Sequence, residues 1–214
     1  MERITAISSS RSDPSRRIVK VDGKSVATLS RQQVEALQLE PDQAWTDALS
    51  RRVEDAAAFD KAMKKAMQWI NRKPLSESQL AEKLREGGLD GDLVSRVMVR
   101  LRGIGAVDDE SLGDQLIDEL IRNQSAGPRL LRSKLRQRGL GKKLIDKLVT
   151  ERSAARCFED ALDLAKQRLI RLRRVPPPSR ARKLASLLAR RGYDEDTVER
   201  VIAELKLDGG GTEA

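Results

Sequence analysis

The 214-residue chain is 39% hydrophobic yet only 2% aromatic, and 35% of its residues are charged. So little bulk excludes one thick core and points to thin cores of Leu, Ile, Val and Ala along helices with solvated faces. A net charge of +9, no histidine and a single cysteine, Cys157, exclude an internal disulfide and a Cys/His zinc site, and favour an anionic partner.

In chain order, Ile18–Val21 and Lys24–Leu29 read as two strands joined by Asp22-Gly23, a favoured two-residue hairpin turn. A further strand is read from Arg3 to Ile7, and the Ser-rich stretch from Ser8 to Ser15 as a loop. Ser30 is placed to cap a short helix ending at Leu37, with Gln33 as its capping-box partner. Pro41 is expected at a first helical position, opening a helix or helix pair that runs toward Asn71.

Beyond that the chain repeats itself. Leu80, Leu84, Gly88, Leu89, Val94 and Val97 have the same internal spacing as Leu131, Leu135, Gly139, Leu140, Ile145 and Leu148. Leu184, Leu188, Gly192, Tyr193, Val198 and Val201 form a third set. Two leucines four apart share one helix face, and the glycine then ends the helix in a left-handed conformation. Asp90 and Asp194 are placed to cap the next helix, whereas Gly141 leaves the middle copy without that cap. Each set follows another amphipathic stretch, so each repeat is read as three helices. The expected division is an N-terminal hairpin and helical extension over 1–56, repeats over 57–107, 109–152 and 155–206, and a disordered Gly-rich tail over 207–214. The fold class is mainly α: tandem three-helix repeats stacked into an elongated curved body, with a small N-terminal β-hairpin extension.

Charge is segregated along this body. No Asp or Glu occurs from Leu120 to Ile145 or from Leu164 to Tyr193. Within these tracts the candidate anion-binding residues are Arg129, Arg132, Lys134, Arg136, Arg138, Arg180, Lys183, Arg190 and Arg191. Arg129, Arg132 and Arg136 fall on the helix face opposite Leu131 and Leu135, a good way to present guanidinium forks. DNA phosphates and acidic protein side chains both remain open as the anion. The few aromatics sit mostly at core positions, which argues against a base-stacking platform.

No residue set supports catalysis. Asp108, Asp109 and Glu110 read as a helix cap and its acidic first turn rather than a metal site. Cys157 lacks any histidine base and is expected to pack in the third repeat. Ser76 and Gln79 read as a capping box, not a nucleophile. Gly209-Gly210-Gly211 lacks the lysine of a phosphate loop. A non-enzymatic protein without metal or cofactor is expected. No apolar run approaches the roughly 18 residues of a membrane span, and the N-terminus lacks a signal-peptide core, so a cytoplasmic protein is expected.

These features resemble the RecX family of recombination regulators. The family's Arg-x-x-x-Ser-x-x-x-Leu pattern is matched by Arg72, Ser76 and Leu80, and its Gly-aromatic-Leu-Asp-Asp junction by Gly105 to Asp109. Its Gly-Pro-Arg is matched by Gly127, Pro128 and Arg129, with Arg132 and Leu135 following. Its Leu-Ala-Arg-Arg-Gly-aromatic is matched by Leu188 to Tyr193. The resemblance covers about residues 57–206, and residues 1–30 are similar to the N-terminal hairpin of some members. Ala106 departs from the family's aromatic, and Leu112-Gly113 from its Phe-Ala. The resemblance implies a protein that lies in the groove of the RecA–single-stranded DNA filament and restrains ATP hydrolysis, filament extension and strand exchange; a monomer is the default expectation, with oligomeric state open. On that reading the nine basic residues meet RecA or the bound DNA. The competing expectations are a non-specific basic DNA-binding protein and a repeat adaptor for another acidic protein.

Overall fold

Asp22 and Gly23 both adopt positive φ, 46° and 79°, as a tight reversal between right-twisted strands requires. The computed structural model describes residues 2–207. The turn joins β2 (Arg16–Val21) to β3 (Lys24–Ser30), and β1 (Ile4–Ser9) pairs with the other edge of β2. The expected hairpin is thus part of a three-stranded antiparallel sheet of order β1-β2-β3. Ser30 accepts from the Gln33 amide and starts α1 (Arg31–Ala36) as its sequence foretells. Pro41 does not open a helix. The segment around it is stitched to β1: the Asp42 amide donates to the Ile4 carbonyl, and the Ile4 amide to the Gln43 carbonyl. Strand pairing claims the backbone groups that a helix there would need. The helix α2 (Asp47–Arg72) starts instead where Thr46 accepts from the Leu49 amide, and it runs unbroken for 26 residues.

The sheet buries Ile4, Val19, Val21 and Leu29 with Leu49, Val53 and Ala56 of α2. This core is aliphatic, as the composition demands, and one charged residue secures it. Asp60 of α2 is 8% exposed. Its carboxylate accepts from the Ser30 amide and pairs with Arg16 at 3.8 Å. Asp60→Ala should therefore cost about 1–3 kcal/mol, since a buried amide and a guanidinium lose their acceptor. A urea-unfolding midpoint equal to the parent's would show that the contact contributes nothing.

The remaining helices are α3 (Glu77–Glu86), α4 (Gly91–Gly103), α5 (Asp109–Gln124), α6 (Pro128–Gln137), α7 (Lys142–Arg171), α8 (Pro177–Arg190) and α9 (Glu195–Glu204). They fall in two compact units. The first takes the chain to Pro74 together with residues 80–106; the second takes residues 75–79 and the chain from Val107 onward. Gly88, Gly139 and Gly192 have φ of 82°, 80° and 88°. At each, the glycine amide reaches back three residues, to Arg85, Arg136 and Ala189. The next amide reaches back five, to Leu84, Leu135 and Leu188. These paired bonds are the Schellman ending that the repeated Leu-x-x-x-Leu-x-x-x-Gly spacing encodes. Asp90 accepts from the Leu93 amide and Asp194 from the Thr197 amide, while Gly141 offers no side-chain cap.

Two expected boundaries are invisible in the backbone: the one at 56–57 falls inside α2, and another inside α7. The last helix of the middle repeat and the first of the third are a single element, α7, 30 residues long. Thr150 to Cys157 contains no glycine or proline, so nothing stops the helix between the expected repeat limits of 152 and 155. Leu207 is buried in the third repeat's core, and the Gly-rich tail read from the sequence lies otherwise outside the described residues.

Within the second unit, two loop ends interlock. The Gly127 amide donates to the Arg191 carbonyl at 2.7 Å, and the Arg129 amide to the Gly192 carbonyl at 2.9 Å. A Cβ on Gly127 would lie 2.7 Å from the Gly192 carbonyl carbon. Backbone approaches backbone here, which only glycine allows.

Candidate functional site

The second unit carries the basic tracts, and its packing decides which cations face out. On α6, Leu131 and Leu135 are buried among Leu112, Ile117, Ile145 and Leu148. That fixes Arg129 and Arg136 as exposed residues. Arg132, on the same face, is half-buried and paired with Asp146 of α7 at 3.5 Å. Lys134 and Arg138 border a shallow groove floored by Leu116 and Leu120, with Glu119 at its edge.

On α8, Leu184 and Leu188 are fully buried against Ala161, Ala165 and Val201. Lys183 and Arg190 are exposed, and Arg190 donates to the Ser186 hydroxyl at 3.0 Å. Arg180 points back along the chain, donating to the carbonyls of Val175 and Arg173. It thereby holds the turn that leads into α8. Arg191 donates to the Gln124 carbonyl and ties α8 to the end of α5. The nine candidates therefore differ in role. Arg132, Arg180 and Arg191 make internal contacts, whereas Arg129, Arg136, Lys183 and Arg190 project outward.

Three residues outside the sequence-based set complete the picture. Arg168 and Arg171 of α7 face Arg182, Lys183 and Arg190 of α8 across a groove. The acid-free run from Leu164 to Tyr193, which holds all three, was the available signal. The fact that α7 extends to Arg171 and packs beside α8 was not legible without the fold.

The groups that invite a chemical reading have structural duties. Asp108 caps α5 by accepting from the Glu110 and Ser111 amides, both at 3.0 Å. Asp109 accepts from the Glu77 amide at 2.9 Å and so caps α3. Ser76 and Gln79 exchange the two bonds of a capping box. Cys157 is half-buried, and burial pushes its thiol above the usual range, leaving it a poor nucleophile. Tyr193 is buried, and desolvation likewise raises its phenol far above normal. At Asp194 the hydrogen bonds from Thr197 hold the carboxyl below the usual range, as suits a charged helix cap. No helix among the described residues is long and apolar enough to cross a membrane.

The family model for the first three-helix domain of RecX matches residues 62–101, which hold the first Leu-x-x-x-Leu-x-x-x-Gly set. The regulatory protein RecX of Clostridioides difficile is 24% identical over 202 residues, 94% of this chain and 95% of its own. This chain belongs to the RecX family. The Thermobifida fusca RecX is 29% identical over 144 residues, covering 67% of this chain and 77% of that protein. A crystal structure of a regulatory protein RecX superposes with a TM-score of 0.81 at 22% identity, over 95% of this chain and all of that one. RecX from Lactobacillus salivarius gives 0.65 at 17% identity, over 72% and 98%. The family is regulatory and non-enzymatic, in keeping with carboxylates and hydroxyls spent on helix caps. The Gly127-Pro128-Arg129 and Arg191-Gly192-Tyr193 stretches also have a structural duty: they are the two halves of the interlock between the start of α6 and the end of α8.

Proposed function

We propose that this chain is a cytoplasmic regulator of RecA that binds the RecA–single-stranded DNA filament and lowers its ATPase activity, extension and strand exchange. The observation that carries the reading is the family match along nearly the whole chain. Arg129 and Arg136 are the side chains best placed on α6 to meet an acidic protein surface, because their neighbour Arg132 is already paired.

The decisive measurement is the single-stranded-DNA-dependent ATPase of the cognate RecA, titrated with this protein. Inhibition is expected well below one copy per RecA protomer, because blocking a growing filament end needs few molecules. Arg129→Gln combined with Arg136→Glu should raise the concentration for half-inhibition by roughly tenfold, the loss expected when two charge-assisted contacts go. Inhibition only at near-saturating amounts would instead mean simple competition for DNA. Unchanged inhibition by the folded double variant would remove α6 from the interface.

A further inference from the structure

The groove between the C-terminal half of α7 and α8 has an unusual electrostatic composition. Arg168, Arg171, Arg182, Lys183, Arg190 and Arg191 line it, over a floor that includes Leu164 and Leu187. No carboxylate lines it, and the sequence offers none from Leu164 to Tyr193. None of these six cations makes an ion pair among the described residues. Elsewhere some exposed cations do have a carboxylate partner: Arg96 with Asp55, Lys147 with Glu110, Arg31 with Glu35 and Arg132 with Asp146. Crowded like charges repel one another, and nothing in the packing of α7 on α8 requires them.

We propose that this groove is a binding site for the sugar–phosphate backbone of a nucleic-acid strand, used by the chain itself without RecA. The geometry favours phosphates over an acidic protein. Protein hot spots rest on aromatic or bulky apolar anchors seated in pockets. This groove has no aromatic residue, and its two leucines are half-buried. Phosphate binding needs no such anchor, since its free energy comes largely from released counterions. Arg182 and Arg190 lie two four-residue steps apart on α8, with Ser186 between them. Each step advances about 6 Å along the helix, so the cations form a rail rather than a point site. The Ser186 hydroxyl steadies the Arg190 guanidinium at 3.0 Å. With no ring for base stacking and Gln167 as its one side-chain amide, the groove contacts mainly the backbone and selects weakly for sequence.

The site is independent of the RecA reading and is tested without RecA. Binding of the full-length chain to a fluorescein-labelled 40-nucleotide single strand of mixed sequence is followed by anisotropy across salt concentrations. The variant Arg168→Glu/Arg182→Glu/Arg190→Glu is compared with Lys24→Glu/Arg51→Glu/Arg52→Glu, which changes net charge equally at exposed positions elsewhere. The groove variant should bind at least about tenfold more weakly than the control, with a log–log salt slope shallower by about 2. The Arg→Lys version of the groove triple should keep most of the affinity. Equal losses in the two Glu variants would overturn the proposal, leaving only a net-charge effect. So would equal displacement by polyglutamate at matched charge, which would assign the groove to an acidic protein. Retained RecA ATPase inhibition in a groove variant that no longer binds the strand would separate this site from the regulatory one.

Discussion

Gly192→Ala should destabilise the protein by about 3 kcal/mol or more, while Gly88→Ala, at the equivalent repeat position, should cost about 1 kcal/mol. The two glycines share the same local duty. Both end a helix with positive φ, 88° and 82°, and both donate the same backward bond. An alanine at either place carries the left-handed penalty. They differ in what a methyl group would meet. At Gly88 nothing lies within 4 Å, but at Gly192 the new Cβ would clash with the Leu130 amide nitrogen and stand 2.7 Å from the Leu130 Cβ. Those atoms belong to the first turn of α6, which the Gly127 and Arg129 bonds hold against Gly192. No flexible side-chain end can swing away, so the interlock must open. Gly139 should fall between, because its Cβ would meet the Ser76 hydroxyl at 2.9 Å, a side-chain atom tied only into a capping box. Urea midpoints of the three variants would rank them, and equal shifts would mean that φ alone sets the cost.

That ranking shows what the sequence carried and what it withheld. The repeat was legible because one hydrogen-bonding device uses leucines four apart and a glycine four further on, and three copies leave a spacing no other device would produce. The Asp90 and Asp194 caps, and the missing cap at Gly141, followed from chemistry local to a single helix end. What failed was anything decided by distant segments. Pro41 had the right neighbours for a helix start, but pairing with β1 overrode them. Nothing next to Asp60 in the chain marks it as buried, and only the arrival of Ser30 and Arg16 makes it a buried acceptor. Composition marked the basic tracts yet could not sort them. Arg180 serves a turn and Arg191 a helix end, while Arg168, Arg171 and Arg182 gain their common groove only because α7 runs on into the third repeat.

Leu188→Ala is expected to lose about 2–5 kcal/mol, against less than about 1 kcal/mol for Leu187→Ala one position away. Leu188 is fully buried, with Ala161, Ala165, Tyr193 and Val201 in the same cluster, whereas Leu187 is half-buried on the groove floor. The contrast is sharpened by composition. The facing Ala161 and Ala165 are too short to close over the space left behind, so much of the cavity persists and its cost is felt. Against a total stability of roughly 5–15 kcal/mol, one leucine is then a large share. The loss should also reach function. Leu184 and Leu188 are what press α8 onto α7, and the cationic rail exists only while that contact holds. Leu188→Ala should therefore weaken strand binding at temperatures where its unfolding transition begins, and Leu187→Ala should not. Midpoints that move together in urea would mean that burial does not distinguish the two positions and that the groove floor bears as much of the packing as the core.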